Sequence, residues 1–250
     1  MKTKWDYTEL AEAYLKRPEY AKEAIDKLFA IVNLGKGDCV CDIGAGVAHL
    51  TLELAARGLN VFAIEPNDAM RANGIKRTQH LSNVKWFVGV GENTGMQNDM
   101  FKLVTFGSSF NVCDRLLALK ETARILKPAG WFTCMWNWRD LEDVLQRKIE
   151  GIISSHIPSY NYGTRRQEQT EIIEACGLFG KTEIITGSVV HCIKATDFAE
   201  GWKSHATLQR QSKDQFGNII DEISEAIQMY SKNGFVYVPY TTKIWVSQLK

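Results

Sequence analysis

The sequence predicts an α/β fold: a doubly wound sheet of seven strands, mostly parallel, with helices on both faces. Three observations carry that expectation. Short apolar segments alternate with segments of helical periodicity as far as residue 138. Two glycines, Gly44 and Gly46, stand between the first apolar segment and the helix after it. The intervals between strands are long enough for parallel crossovers, which place helices on both sheet faces.

Each element has a local reason. Residues 7–32 read as helix broken near Arg17-Pro18, because Ala21, Ile25, Leu28, Phe29 and Val32 recur at helical spacing and proline interrupts a helix. Gly35 and Gly37 mark a loop before a short apolar strand at 39–43. A helix follows over 48–57, with Gly58 at the stop position. Residues 61–64 form the second strand, and Asp68 opens a helix over 69–79. The third strand covers 84–90 and the fourth 103–106, which ends in Gly107-Ser108-Ser109. A helix over 116–126 stops at Lys127-Pro128-Ala129-Gly130, and the fifth strand covers 131–136.

Beyond residue 138 the pattern loosens. Helices are expected over 141–155, 167–175, 197–210 and 219–231, and strands over 183–191 and 235–246. Two helical stretches, about 140–178 and 196–232, thus interrupt the terminal strands. They are expected to cover the sheet edge where doubly wound folds bind ligands. No linker composition separates a second domain, so residues 1–250 read as one.

Composition narrows the class. Charged residues make up 24% of the 250-residue chain and hydrophobic residues 45%, as in a globular protein. A net charge of +1 without a Lys/Arg run argues against a nucleic-acid groove. No segment has the apolar length of a membrane span. The first ten residues hold acidic side chains and no apolar signal core, so a cytoplasmic location is expected. The six cysteines include no CxxC pair and read as reduced, buried thiols rather than zinc ligands. Cys39 and Cys41, two apart in a strand, share a face.

The chemistry starts at C-V-C-D-I-G-A-G-V-A-H-L, residues 39–50. Glycines after a strand let backbone approach a ligand, and the following helix offers free N–H groups. Glu65 ends the next strand, 19 positions after Gly46, where a carboxylate can accept two hydrogen bonds from a ribose diol. A tight turn with an incidental acid is the plainer alternative. A nicotinamide dinucleotide needs a third small residue at position 49, where this chain has His49.

D-I-G-A-G at 42–46 resembles the first motif of class I S-adenosylmethionine-dependent methyltransferases, with Ala48 in place of the third glycine, a mild change for so small a side chain. V-G-V-G-E-N-T-G-M at 88–96, F-K-L-V-T-F-G-S-S-F-N at 101–111 and L-K-P-A-G-W at 126–131 resemble later motifs of that family in order and spacing. Y-L-K-R-P-E-Y at 14–20, W-N-W-R-D at 136–140 and V-P-Y-T-T-K-I-W at 238–245 are similar to a type-11 small-molecule branch that includes proteins similar to trans-aconitate methyltransferase.

The resemblance implies a Rossmann-like methyltransferase fold and S-adenosyl-L-methionine as cofactor. It implies cofactor contacts from Asp42, Gly44, Ala45, Gly46, Glu65, Pro66 and Met70. Gly91, Glu92 and Asn93 would line the adenine, with Gly107 and Ser108 beyond. An N-terminal helix over about 7–32 would cap the cofactor and bring Tyr14 and Arg17 to the methionine carboxylate. The branch often carries F-H-W where this chain has Phe110-Asn111-Val112, so a histidine base at Asn111 is missing. Val90 stands in place of an acid that wider relatives use near adenine.

Methyl transfer from a sulfonium needs no metal and gains chiefly from alignment, and none is expected. A carboxylate nucleophile needs no base, whereas a hydroxyl is helped by one. His156, His191 and His205 are the candidate bases, each with an alternative as an ordinary strand or solvated helix residue, and His49 reads as structural. Asn111, Trp136, Trp138, Tyr160, Trp202 and Tyr240 are candidate substrate contacts, with Tyr162 in the same regions. Asn137, Arg139, Arg165 and Arg166 are polar residues nearby, and the arginines would suit an anionic substrate.

The expected function is methyl transfer to a carboxylate or hydroxyl oxygen of a small molecule. Gly107-Ser108-Ser109-Phe110 stands where amino-directed methylases have N/D-P-P-Y/F, which counts against those targets. One alternative is a catalytically silent S-adenosylmethionine-binding protein with a regulatory or assembly role. The other is a dinucleotide-dependent oxidoreductase, disfavoured by His49. The expected partners are a small-molecule substrate, with no nucleic acid and no membrane.

Overall fold

The computed structural model describes residues 5–250, and its centre is the strand β1 (Cys39–Ile43). The period-two alternation of a strand sends Cys39, Cys41 and Ile43 into one apolar layer and Val40 into the opposite one. In the first layer lie Ala118, Leu119 and Ile125 of α5 (Arg115–Ile125) and Ile173 of α7 (Thr170–Ala175). In the second lie Ile25 and Leu28 of α2 (Lys22–Val32) and Leu50 and Leu54 of α3 (His49–Ala56). Helices therefore cover both faces, as in a doubly wound sheet.

The seven strands also include β2 (Asn60–Ile64), β3 (Val84–Phe87), β4 (Phe101–Gly107), β5 (Leu126–Arg139), β6 (Glu183–Lys194) and β7 (Phe235–Gln248). Their order is β3-β2-β1-β4-β5-β7-β6. Strands β1 to β5 pair in parallel, and β7 runs antiparallel to both its neighbours. The order reverses at β1, whose neighbours are β2 and β4, and ligand crevices form at such a switch point.

The far side of the sheet does a second job. Pairing of β4 with β5 ends at Gly107 and Met135, whereas β5 stays paired with β7 as far as Arg139 and Tyr240. The β6–β7 ladder continues to Lys194 and Phe235, so its outer part projects as a two-stranded ribbon. Val236, Val238 and Tyr240 of that ribbon pack with three helices: α6 (Val144–His156), α8 (Ala195–Trp202) and α10 (Phe216–Met229). This separate apolar cluster forms a helical cover beside the strand ends.

Several boundaries differ from the sequence expectation. The helix expected over 7–32 is a short 3-10 turn at Thr8–Leu10, then α1 (Ala11–Tyr14), an extended passage through Pro18, and α2. Ala21 N–H donates to Thr242 Oγ1 at 2.7 Å, which fixes the chain in extended form just before α2. Of this expected cap, only the first part faces the ligand crevice, because α2 belongs to the sheet core. The helix expected over 197–210 is α8 followed by α9 (Ala206–Ser212), parted at Ser204. Asn67 rather than Asp68 caps α4 (Asp68–Thr78), accepting from Met70 N–H at 3.0 Å. Cys192 is exposed on the outer strand β6, contrary to the expectation of buried thiols. Among the described residues no helix is long and apolar enough to cross a membrane. The leader reading of Met1–Lys4 lies outside the described residues.

Candidate active site

The glycine turn is held from beneath by β2. Gly44 N–H and Ala45 N–H both donate to the Ile64 carbonyl, at 2.8 and 3.0 Å. Gly44 and Gly46 have φ of +68° and +56°, a region costly for a residue with a Cβ. A Cβ on Gly44 would also lie 2.4 Å from the Ser109 Cβ. Ala48 occupies the same region at φ +75°, so its replacement of the third glycine is not mild: the alanine stands in a conformation that favours glycine.

Glu65 closes the turn from the side. Its Oε2 accepts from Gly46 N–H at 2.9 Å and its Oε1 from Asn67 N–H at 2.8 Å. Burial pushes its pKa up, and these two backbone bonds oppose that shift. Asp42 lies on the α3 side of β1 and is fully buried. Its oxygens accept from Thr51 Oγ1 at 2.6 Å and Thr105 Oγ1 at 2.9 Å. Burial raises its pKa to about 6, against the lowering effect of both hydroxyls.

Above the turn, Ala11 packs on Val47 and Met70, with Tyr7 and Tyr14 against them. His49 is buried below. Its Nε2 bonds the Tyr14 carbonyl at 3.0 Å, and burial pulls its pKa down to about 4. The neutral ring then donates from Nε2, and Nδ1 is a buried acceptor with no partner among the described residues. Arg17 lies over the Tyr14 ring at 4.2 Å and ties this segment to the cover, donating from Nε and Nη2 to Ser204 Oγ and O at 2.7 and 2.8 Å.

Between the turn, the N-terminal segment and the cover lies a cavity of about 1160 Å³. Its far wall is aromatic. His205 stacks on Trp202 with ring centroids 4.2 Å apart, and its Nδ1 bonds the Trp202 carbonyl at 3.1 Å. That bond fixes the proton on Nδ1 and leaves Nε2 as an acceptor. Burial, then the charges of Arg17, Arg165 and Arg139, keep His205 neutral well below the usual histidine pKa.

The strand-end crevice, the glycine turn and the acid after β2 form one site, and residues 41–134 match the family model described as a methyltransferase domain. An uncharacterised methyltransferase of Mycobacterium tuberculosis is 33% identical over 128 residues, 50% of this chain and 48% of that one. A demethylmenaquinone methyltransferase of Staphylococcus haemolyticus is 33% identical over 104 residues, 40% of this chain and 43% of that one. The chain spans about half the length of the curated relatives it matches. Over residues 41–134 the chain carries a methyltransferase domain. The fold extends further than the match. A solved structure from Anabaena variabilis, described as a methyltransferase of an antibiotic biosynthesis pathway, superposes with a TM-score of 0.63 at 17% identity, covering 92% of this chain and 98% of that one. Phosphoethanolamine N-methyltransferase 2 of Haemonchus contortus, solved with S-adenosylmethionine, gives 0.55 at 15%, covering 91% and 52%.

The residues of the methyltransferase domain fit this cofactor. Each Glu65 oxygen uses one of its two lone pairs on backbone, which leaves capacity for a ribose diol. The carboxylate, the glycine turn and Met70 all line the cavity, beside Pro66, Gly91 and Glu92. S-adenosylmethionine would bring an already activated methyl group to this crevice.

Most residues singled out from the sequence reach the cavity. Tyr14, Arg17, Asp42, Ala45, Gly107 and Ser108 line it, as do Asn111, Trp136, Trp138, Trp202, Tyr240 and His205. Four do not. Asn93 is exposed and pairs its backbone with Val90. Tyr160 packs edge-on against Tyr162 behind the wall. His156 faces α10, with Nε2 on Glu222 at 2.7 Å, and that bond raises its pKa. His191 sits on β6, where Nε2 bonds the Glu19 carbonyl at 3.1 Å. Neither histidine can serve the crevice as a base. Asn111 spends its Oδ1 on Trp136 Nε1–H at 3.1 Å.

The sequence reading missed Tyr7, Tyr20 and Asn67 as lining residues and took His49 only as structural. Tyr20 bonds Ser108 Oγ at 2.9 Å across 88 residues, a proximity no local pattern carries.

Proposed function

We propose that the protein transfers a methyl group from S-adenosylmethionine to an oxygen of a small molecule, a carboxylate or a hydroxyl, without a metal. The observation that carries this reading is the Glu65 carboxylate, held by two backbone N–H groups beside the glycine turn and open to two further hydrogen bonds. The enclosure of the second half of the cavity by the cover supports a small acceptor rather than a polymer. So do the demethylmenaquinone methyltransferases among the relatives.

In this reading Glu65 orients the ribose, and Tyr14 and Arg17 close over the turn. The aromatic wall excludes water and holds acceptor and methyl donor in line, an alignment worth up to roughly 7–11 kcal/mol. As the new O–CH₃ bond forms, the S–CH₃ bond breaks and its electrons remain on sulfur. With a hydroxyl acceptor the proton passes to His205 Nε2, and with a carboxylate no proton moves.

Calorimetric titration with S-adenosylhomocysteine tests the cofactor assignment. Glu65→Ala removes two hydrogen bonds to a charged acceptor, each worth roughly 1.5–3 kcal/mol, so affinity should fall about 100-fold or more. Glu65→Gln, which preserves shape, should fall less. Unchanged affinity in both variants would falsify the ribose role, and stabilisation by nicotinamide dinucleotide alone would overturn the cofactor. Release of S-adenosylhomocysteine with any of a panel of small acids and phenols separates the enzyme from a silent binder.

A further inference from the structure

The charges lining the cavity are sorted by side. Its acids are Asp42, Glu65, Glu92 and Asp114, all on the glycine-turn side. Its basic side chains are Lys16, Arg17, Arg139, Arg165, Arg166 and Arg210, from the N-terminal segment and the cover side. Some are already engaged. Lys16 pairs with Asp197 at 3.0 Å, Arg17 is bonded to Ser204, and Arg210 lies over the Trp5 ring at 3.9 Å.

Three arginines converge on one ring. The guanidinium carbons of Arg139, Arg165 and Arg166 lie 5.9, 5.4 and 4.0 Å from the centroid of Tyr162. Among the described residues one acid, Glu150, pairs with this group, taking bonds from Arg139 Nη2 and the Tyr162 hydroxyl. The Arg139 side chain is 7% exposed, and among the described residues its buried Nη1 has no partner. Arg165 and Arg166 are half-buried, and among the described residues neither has a carboxylate partner or a hydrogen bond. The Arg139 guanidinium lies 5.0 Å from the centroid of the Trp202 ring, whose buried Nε1 has no acceptor among the described residues.

Stacking on Tyr162 does not satisfy these groups. A desolvated cation–π contact is worth about 2 kcal/mol, whereas a guanidinium carries five N–H donors that lose water on burial. Three cations around one acid leave a net charge of +2 in a low-dielectric wall, and each added arginine repels the others. Desolvation draws the pKa of both Arg165 and Arg166 down, and the Glu150 carboxylate opposes it in part for Arg166. His205 is neutral and adds no positive charge.

We propose that the cover side of the cavity is an anion-binding subsite, and that the methyl acceptor is a small organic anion whose carboxylate or phosphate oxygens are held by Arg165, Arg166 and Arg139 Nη1. Planar forks suit both groups, since each offers paired oxygens to paired N–H donors. The term acceptor rests on the methyltransferase reading, whereas the anion site does not. The competing occupant on the same molecule is the methionine carboxylate of the cofactor, and the test separates the two.

Citrate and inorganic phosphate are the probes, with erythritol as the uncharged control, titrated into the protein with and without saturating S-adenosylhomocysteine. At least one anion should bind the loaded protein, and erythritol should not. Arg165→Gln and Arg166→Gln should each weaken anion binding tenfold or more, with S-adenosylhomocysteine affinity within twofold of the parent. Arg165→Lys keeps the charge but loses the fork, and should fall between parent and Arg165→Gln. A thermal melt confirms that each variant folds.

The proposal is overturned if neither anion binds or if both Gln variants bind as the parent does. It is also overturned if S-adenosylhomocysteine affinity falls tenfold with the anion's, because the arginines then serve the cofactor carboxylate. A parent protein that binds anion but not S-adenosylhomocysteine would sustain the subsite and sink the methyltransferase reading.

Discussion

Asp42→Asn should change the pH dependence of stability in a calculable way. The Asp42 carboxyl is fully buried and accepts two threonine hydroxyls, and its pKa rises from an ordinary 3.8 to about 6. A carboxyl with a raised folded pKa lowers stability once the unfolded chain ionises and the folded one resists. The cost is absent below pH 3.8, grows between 3.8 and about 6, and is complete above. With one pKa unit worth about 1.4 kcal/mol, the gap amounts to about 3 kcal/mol at neutral pH. Asparagine has the shape of the protonated acid and cannot ionise. Near pH 4 the variant should match the parent within about 1 kcal/mol, the scale of one rearranged hydroxyl bond. At pH 7.5 it should be more stable by about 3 kcal/mol. Urea denaturation at both pH values measures this, and the difference between two proteins cancels every other titrating group. Parallel pH profiles would refute the assignment of a raised pKa to Asp42.

Two further outcomes follow from packing and tautomer. In an exposed helix Gly→Ala gains about 1 kcal/mol. In α4 a Cβ on Gly74 would lie 2.2 Å from Trp86 Cη2 and 2.9 Å from the Gly46 carbonyl oxygen. Overpacking of about 1–3 kcal/mol should therefore win, and Gly74→Ala should unfold at lower denaturant and weaken S-adenosylhomocysteine binding by displacing the turn. His205→Gln should lower kcat roughly 10²–10⁴-fold for a hydroxyl acceptor, with KM nearly constant. Because burial and the nearby arginines hold the His205 pKa well below the usual histidine value, the parent's kcat should show no inflection at that usual value. A kcat–pH inflection near 6.5 that vanishes in the variant would contradict the buried tautomer.

The parallel half of the sheet was readable because its causes are local. Gly44 and Gly46 announce a turn, and apolar runs bounded by helical periods announce strands. What escaped depends on distant partners. The break between α8 and α9 lies at Ser204, which bonds Arg17 across 187 residues. The extended passage before α2 is held by Thr242, 221 residues away. The histidines divide in the same way. His156 is one of three candidate bases in the sequence, but Glu222 on α10, 66 positions along the chain, holds it away from the cavity. His205 is set by a bond to Trp202, only three residues before it, yet its burial comes from the assembled cover. Ala48 shows a subtler limit, since side-chain size was legible and its left-handed φ was not.

The late course of β5 has a consequence for how such a protein diversifies. The match to the family model ends at residue 134, and Arg139, Arg165 and Arg166 all lie beyond it. From Trp136 onward, among the described residues, β7 is the only strand with which β5 pairs. Substitutions in the wall behind it can accumulate without disturbing the turn that β1 and β2 support. One strand is thus both the last member of an inherited scaffold and the first of an interchangeable part. Retargeting the pocket by exchange of what hangs from its far end is an engineering route that leaves the nucleoside seat in place.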